Sequence, residues 1–255
     1  MSERDARAPY LPENLWGYGK RLRFVDAAMQ KAFPGRRRHE LKVLDVGCGN
    51  GSQLAIPMAD AGYQVTAVDP HKPSIERGRR RAPGVKFVWG SVDELSPIRF
   101  DCVIISEVLE HLDVPEALLR AALPYLAESG ILIVTVPNGY GEFELDRRFY
   151  GALQLEKLVG WLRAVFGKGN SQECLAGSED HSPHVQRFTL SRLRQMFERN
   201  GLVMVESRGM SMASGPVMAH LFGKFKTFIN LNAAVADHVP MAVAAGWMFA
   251  LRRAR

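Results

Sequence analysis

The run Val43-Leu44-Asp45-Val46-Gly47-Cys48-Gly49-Asn50-Gly51 ends a short apolar stretch in an acid and follows it with three glycines at alternate positions. A backbone without Cβ atoms can turn sharply and approach a ligand closely. A carboxylate at the same place can meet ammonium or hydroxyl groups. A dinucleotide fingerprint would carry its third glycine one position later, where Ser52 stands. That departure favours S-adenosylmethionine (SAM) over a nicotinamide dinucleotide. A second acid, Asp69, followed by Pro70, closes the next apolar run, Gln64 to Asp69. In a parallel sheet the ends of two such strands lie side by side at the carboxyl edge, where ligands bind. Asp69 is expected to accept hydrogen bonds from both ribose hydroxyls. Asp45 is expected to hold the glycine loop, or the ammonium group through water. Gly47, Gly49 and Gly51, with Cys48 and Asn50 between them, are expected to make room for the amino-acid half of the cofactor.

A second constellation is Ser106-Glu107-Val108-Leu109-Glu110-His111-Leu112. If a helical turn begins there, Glu107, Glu110 and His111 fall at i, i+3 and i+4 on one face. They are then either cleft-lining groups with satisfied hydrogen bonds, Glu107 on the cofactor side, or a metal site. A hard ion such as Mg²⁺ prefers carboxylate oxygens, and an imidazole admits softer metals. Without metal, His111 is a candidate general base, because an imidazole titrates in the range needed to take a hydroxyl proton.

These residues need a scaffold, and the chain supplies alternating elements. Strands are expected at Leu41 to Val46, Gln64 to Asp69, Val85 to Trp89, Phe100 to Ser106 and Ile131 to Val136. Helices are expected at Ser52 to Ala61, Pro73 to Arg81 and Pro115 to Ala127. Repeated strand–helix units imply a parallel sheet with helices on both faces. The pattern then breaks into a long apolar-rich helix, about residues 142–166, and a polar loop, 167–183. A helix over Thr189 to Asn200 follows, capped by Thr189 or Ser191 and ended by Gly201. Leu202 to Ser207 and Ala244 to Leu251 read as the last two strands. The domain organisation is a leading helical segment, residues 1–36, with a helix from Asn14 to Phe33, and one domain, 37–255. That domain carries insertions at about 137–188 and 208–240.

Composition narrows the function. The chain has 255 residues, of which 47% are hydrophobic, enough for one elaborated α/β domain. Cys48, Cys102 and Cys174 share no metal-type spacing and read as reduced thiols of a cytoplasmic protein. The charged start, Met1 to Arg7, lacks the apolar core of a secretory signal. Leu231 to Ala250 is broken by Asn232, Asp237, His238 and Pro240, so it reads as a connection and a buried strand rather than a membrane span. A net charge of +6 sits in clusters such as Arg36-Arg37-Arg38 without the interleaved aromatics of single-strand binders, so nucleic acid is not the expected partner. The Phe- and Lys-containing run Leu221 to Ile229 suits a peripheral contact with a membrane surface.

The residues together resemble the class I SAM-dependent methyltransferases. VLDVGCGNG is similar to their first motif, AVDP (with Asp69 and Pro70) to the second, and FDCVIISEVLEHL to that of the fourth strand, and Pro137-Asn138 stands at the usual place after strand five. The resemblance implies a doubly wound, mostly parallel seven-stranded sheet, a Rossmann-like fold with a helical cap inserted after strand five. Gly90-Ser91-Val92 aligns with a Gly-Asp-Ala of the family whose acid contacts adenine. Ser91 stands in the acid's place, so the resemblance implies adenine held by the Val92 amide with Asp93 as the acid. Glu-x-x-Glu-His resembles the metal element of ubiquinone-biosynthesis O-methyltransferases and of enzymes that methylate the 3′ end of small RNAs. In the latter a further His completes the site, and His184 fits that place. The metal set implied is Glu107, Glu110, His111 and His184; without metal, His184 joins His111 as a candidate base. The expected function is SAM-dependent O-methylation of a small, apolar or lipid-like acceptor. The alternatives are a sugar or natural-product methyltransferase acting on O, N or C, an RNA 3′-end methyltransferase and a non-catalytic SAM-binding partner.

Overall fold

The computed structural model describes residues 18–140, 185–212 and 226–254. Strands β1 (Lys42–Val46), β2 (Gln64–Asp69), β3 (Lys86–Trp89), β4 (Phe100–Ser106) and β5 (Leu126–Pro137) pair in parallel. With β6 (Leu202–Gly209) and β7 (Gly246–Arg253) they form one seven-stranded sheet in the order β3-β2-β1-β4-β5-β7-β6. Only β7 runs against its neighbours, β5 and β6. The chain builds β1 to β3 outward in one direction and then returns to place β4 on the other side of β1. That reversal opens a crevice at the carboxyl ends of β1 and β4, the place where open α/β sheets bind ligands. The mostly parallel, doubly wound sheet expected from the sequence is therefore present.

Alternation along each strand sends side chains to opposite faces. Val43, Ala67, Ile104, Ile133 and Met248 pack on one face beneath α1 (Tyr18–Ala32), α2 (Ala55–Asp60) and α3 (Lys72–Arg81). Leu44, Val68, Val103, Val134 and Phe249 pack on the other beneath α4 (Pro115–Ala122) and α5 (Leu190–Arg199). Burial on both faces explains why the central strands read as continuous apolar runs. Helix α1 does not stand apart from the sheet: Phe24, Val25, Ala28 and Met29 are buried in the first of these cores. Helix α6 (Lys226–Val235) is tied to the start of α1 by Lys20, whose Nζ donates to the Ala233 carbonyl at 2.6 Å and lies 2.9 Å from the Asp237 carboxylate.

Several boundaries differ from the sequence expectation for local reasons. Helix α2 starts at Ala55 rather than Ser52: residues 52–54 form a turn, and Leu54 takes a non-helical φ of −133°. The helix from Pro115 stops at Ala122 instead of Ala127, where Pro124 enters a 3₁₀ turn, and β5 begins at once at Leu126. Proline removes the amide that another α-helical turn would need. Thr189, not Ser191, caps α5: its hydroxyl accepts from the Arg192 amide at 3.3 Å. The 231–250 run splits into the end of α6 and the start of β7, whose residues from Gly246 to Leu251 are all buried. Among the described residues no helix is long and apolar enough to cross a membrane. The expected long helix at 142–166 and the loop after it lie outside the described residues, as does Leu221 to Phe225 of the expected interfacial segment.

Candidate active site

The glycine loop leaves β1 and is pinned to β2 by the Gly47 and Cys48 amides, which donate to the Val68 carbonyl at 2.8 and 3.2 Å. Gly47 has a φ of 73°, and a Cβ there would fall 2.5 Å from a Val108 methyl. Only glycine fits that turn. Gly49 has a φ of 54°, yet a Cβ there would meet nothing within 4 Å, so the loop faces open space at this point. The Gly49 amide donates to Oδ2 of Asp69 at 2.8 Å, and the His71 amide donates to its Oδ1 at 2.8 Å. Two backbone donors thus aim the Asp69 carboxylate from both sides. Each carboxylate oxygen keeps a second lone pair for an incoming hydroxyl.

Asp45 is buried beneath the loop, with the Ala55 amide as a backbone donor. Burial pushes its carboxyl up to about 7; the Arg21 guanidinium pulls it down and the Asp69 charge pushes it up. Arg21, on α1, is completely buried. One terminal nitrogen donates to Ser106 Oγ at 3.2 Å and lies 3.9 Å from the Glu107 carboxylate, and the other donates to Gln53 Oε1 at 2.9 Å. Ser106 is joined to Thr135 at 2.8 Å, and the Thr135 hydroxyl reaches Glu107 at 2.7 Å. Arg21, Gln53, Ser106 and Thr135 were not singled out from the sequence. Arg21 lies at helical spacing with Phe24, Val25 and Ala28, which marks the buried face of α1, and Thr135 interrupts the apolar run Ile131 to Val136. Both signals were legible.

The predicted helical turn carrying Glu107, Glu110 and His111 does not form. β4 ends at Ser106, and Glu107 takes a φ of 55°, the only non-glycine residue with positive φ among the described residues. Such backbone strain collects at functional sites. It throws the Glu107 side chain toward Thr135 and Arg21, while a 3₁₀ turn over Leu109–His111 carries the other two. Glu110 is 1% exposed, and burial, followed by the Glu107 charge, pushes its carboxyl well above the carboxylate range. His111 Nε2 lies 3.8 Å from Glu110 Oε1. Glu107 is committed to a hydroxyl and a cation, and Glu110 is held toward its neutral form. Among the described residues no group of three or more His, Cys, Asp or Glu side chains could hold a metal ion. His184, the fourth expected ligand, lies outside the described residues.

On the far side of the cleft Val92 is buried, while Ser91 and Asp93 are exposed in a 3₁₀ turn. A hydrogen bond from Ser91 lowers the Asp93 carboxyl, and Glu94 folds back on the Ser91 amide at 3.4 Å. After β5, the Asn138 side chain is fully engaged. Its Nδ2 donates to the Ala242 and Ala244 carbonyls at 3.0 and 2.9 Å, and its oxygen accepts from the Tyr140 amide at 3.1 Å. Asn138 therefore anchors the connection before β7. The Glu110 carbonyl accepts from Val185 and Gln186 at 2.9 and 3.0 Å, which brings the start of that described segment against the cleft.

The ionisation of Asp45 gives a pH test. Below about pH 7 Asp45 holds its proton, and the cationic head of a ligand is better met by the ionised acid. Affinity for S-adenosylhomocysteine is expected to weaken as pH falls from 7.5 to 5.5, approaching about tenfold per unit once Asp45 is mostly neutral. Asp45→Asn is expected to flatten this profile in isothermal titration. The unliganded fold behaves oppositely. The acid's folded value lies above the about 3.9 of an unfolded Asp, so its contribution to stability is full at low pH and is lost as pH rises toward 7.

A family model described as "Methyltransferase domain" matches residues 18–207. The ubiquinone biosynthesis O-methyltransferase of Rickettsia typhi is 29% identical over 128 residues, covering 48% of this chain and 50% of that protein. The protein of the same name from Idiomarina loihiensis is 28% identical over 183 residues, covering 69% and 70%. The chain spans about half the length of the first of these curated relatives. Among solved structures, PKMT2 from Rickettsia typhi in complex with AdoHcy aligns with a TM-score of 0.57 at 18% identity, over 94% of this chain and 53% of that one. Magnesium protoporphyrin IX methyltransferase from Synechocystis with bound SAM aligns with a TM-score of 0.52 at 15% identity, over 91% and 79%. At these identities the structural likeness speaks to the fold.

Proposed function

The chain belongs to the methyltransferase domain family, and on that premise we propose that it transfers the methyl group of SAM to a hydroxyl oxygen of a small, apolar acceptor. The observation that carries the reading is Asp69, held at the end of β2 by the Gly49 and His71 amides with unused lone pairs facing the cleft. It matches a diol, and the ribose of an adenosyl group is one. The open space at Gly49 and the Asp45–Arg21 charges beneath the loop suit the zwitterionic amino-acid end. The choice of oxygen as the methylated atom rests on the curated relatives, which are named O-methyltransferases.

SAM supplies a methyl group already activated on a sulfonium, so the protein has little covalent chemistry to perform. Its task is to hold an in-line nucleophile at near-attack distance in a site kept from bulk water. Asp69 and the glycine loop fix the donor. His111, part-exposed at the cleft, is the described group best placed to take the acceptor's proton.

The test is a methyl-labelled SAM incubation with phenols of graded hydrophobicity, alongside sugars and small RNAs, analysed by mass. A gain of one methyl on the phenols, lost in His111→Ala with unchanged cofactor affinity, supports the reading. Labelling only of sugars or RNA, or SAM binding without turnover on any acceptor, overturns it.

A further inference from the structure

Trp89 ends β3 with 52% of its surface exposed, whereas the other tryptophan of the sheet, Trp247 in β7, is buried. Two contacts hold it, and both reach the turn that follows Asp69. Its Nε1 donates to the Pro70 carbonyl at 3.0 Å, and Lys72 Nζ stands 4.7 Å from the ring centroid. In the register of the sheet Trp89 is the partner of Asp69 itself. The Asp69–Lys72 turn is thus gripped from two sides. On the inside the His71 amide donates to Oδ1 of Asp69, and on the outside the indole holds the Pro70 carbonyl at the other end of that same peptide. The opposite wall of the nucleoside cleft has less to offer. Ser91 stands where an acid would be expected, and Glu94 is folded onto the Ser91 amide.

We propose that Trp89 is a positioning residue for the nucleoside half of the site, bracing the Pro70–Lys72 turn so that the Asp69 carboxylate is already aimed at the ribose before the ligand arrives. The proposal rests on the SAM reading of this cleft and adds the residue that fixes its nucleoside anchor. A hydrogen bond and a cation–π contact on one rigid indole remove freedom from an otherwise exposed turn, and groups that must be held to a fraction of an ångström need support of this kind.

The experiment is a double-variant cycle read by isothermal titration of S-adenosylhomocysteine, carried to millimolar ligand. Trp89→Ala is expected to weaken binding about tenfold through misplacement of Asp69. Trp89→Phe keeps the ring but loses the N–H, and is expected to fall between Trp89→Ala and the wild type with an unchanged melting temperature. In an Asp69→Asn background Trp89→Ala is expected to cost nothing further, since coupled residues do not contribute independently. The proposal is overturned if Trp89→Ala or Trp89→Phe binds within twofold of the wild type. It is equally overturned if the Trp89→Ala penalty persists in full without Asp69, because the indole would then act on its own. Wild-type protein that fails to bind S-adenosylhomocysteine at all would instead remove the SAM reading beneath it.

Discussion

Asp69→Asn is expected to weaken S-adenosylhomocysteine binding by about a hundredfold or more while the protein still folds. Hydrogen bonds to a charged acceptor contribute roughly 1.5–3 kcal/mol each, and a ribose diol makes two of them. At about 1.4 kcal/mol per factor of ten, losing both corresponds to two to four orders of magnitude. The local cost adds to this. Both Asp69 oxygens already accept backbone amides, from Gly49 and from His71. An Asn side chain has one acceptor oxygen and turns an NH₂ toward the other donor, so either the glycine loop or the 70–72 turn is released. The residue is half-buried at the sheet edge rather than in the core, so the loss of stability is expected to stay within about 1–3 kcal/mol for one unpaired donor. Titration calorimetry reads the first effect and thermal denaturation the second. Near-normal affinity would remove Asp69 from the ribose role.

The contrast between Asp69 and Glu107 explains what a sequence can show. The acids near the carboxyl ends of β1 and β2 were legible because a strand fixes direction: with parallel neighbours, Asp45 and Asp69 lie toward the same edge. The glycine loop was legible for the same reason, since it has to leave a buried strand. Glu107 was misplaced because its backbone depends on tertiary partners. Helical spacing put it with Glu110 and His111, but the Thr135 hydroxyl from β5 and the Arg21 guanidinium from α1 hold it in the left-handed region instead. No local pattern contains those two partners. Asn138 teaches a similar point. Its motif position marks the end of strand five, and the structure spends its side-chain bonding on the connection before β7 and the Tyr140 amide. Helix ends fall a few residues from the sequence expectation where the local backbone intervenes, as at Pro124 after Ala122.

Arg21→Met should be the most damaging single change outside the glycine loop, for electrostatic reasons. Arg21 is the buried cation that draws down both Asp45 and Glu110 and lies beside Glu107. Removing one member of a buried charge set typically costs about 3–5 kcal/mol, because the charges left behind lose their compensation. The melting temperature is expected to drop accordingly. Lower stability alone would not identify the role, so the informative readout is the pH profile. With the cation gone, Asp45 and Glu110 are pushed further up, and Asp45 is neutral at pH 7. The pH below which S-adenosylhomocysteine affinity declines is then expected to move upward from about 7, with binding at pH 7 reduced at least tenfold. Arg21→Lys is not expected to rescue it. The guanidinium reaches Ser106 and Gln53 with its two terminal nitrogens, and a single ammonium cannot span both. A profile that keeps its midpoint in Arg21→Met, whatever the melting temperature does, would show that Arg21 serves the packing of α1 and not the charge of the site.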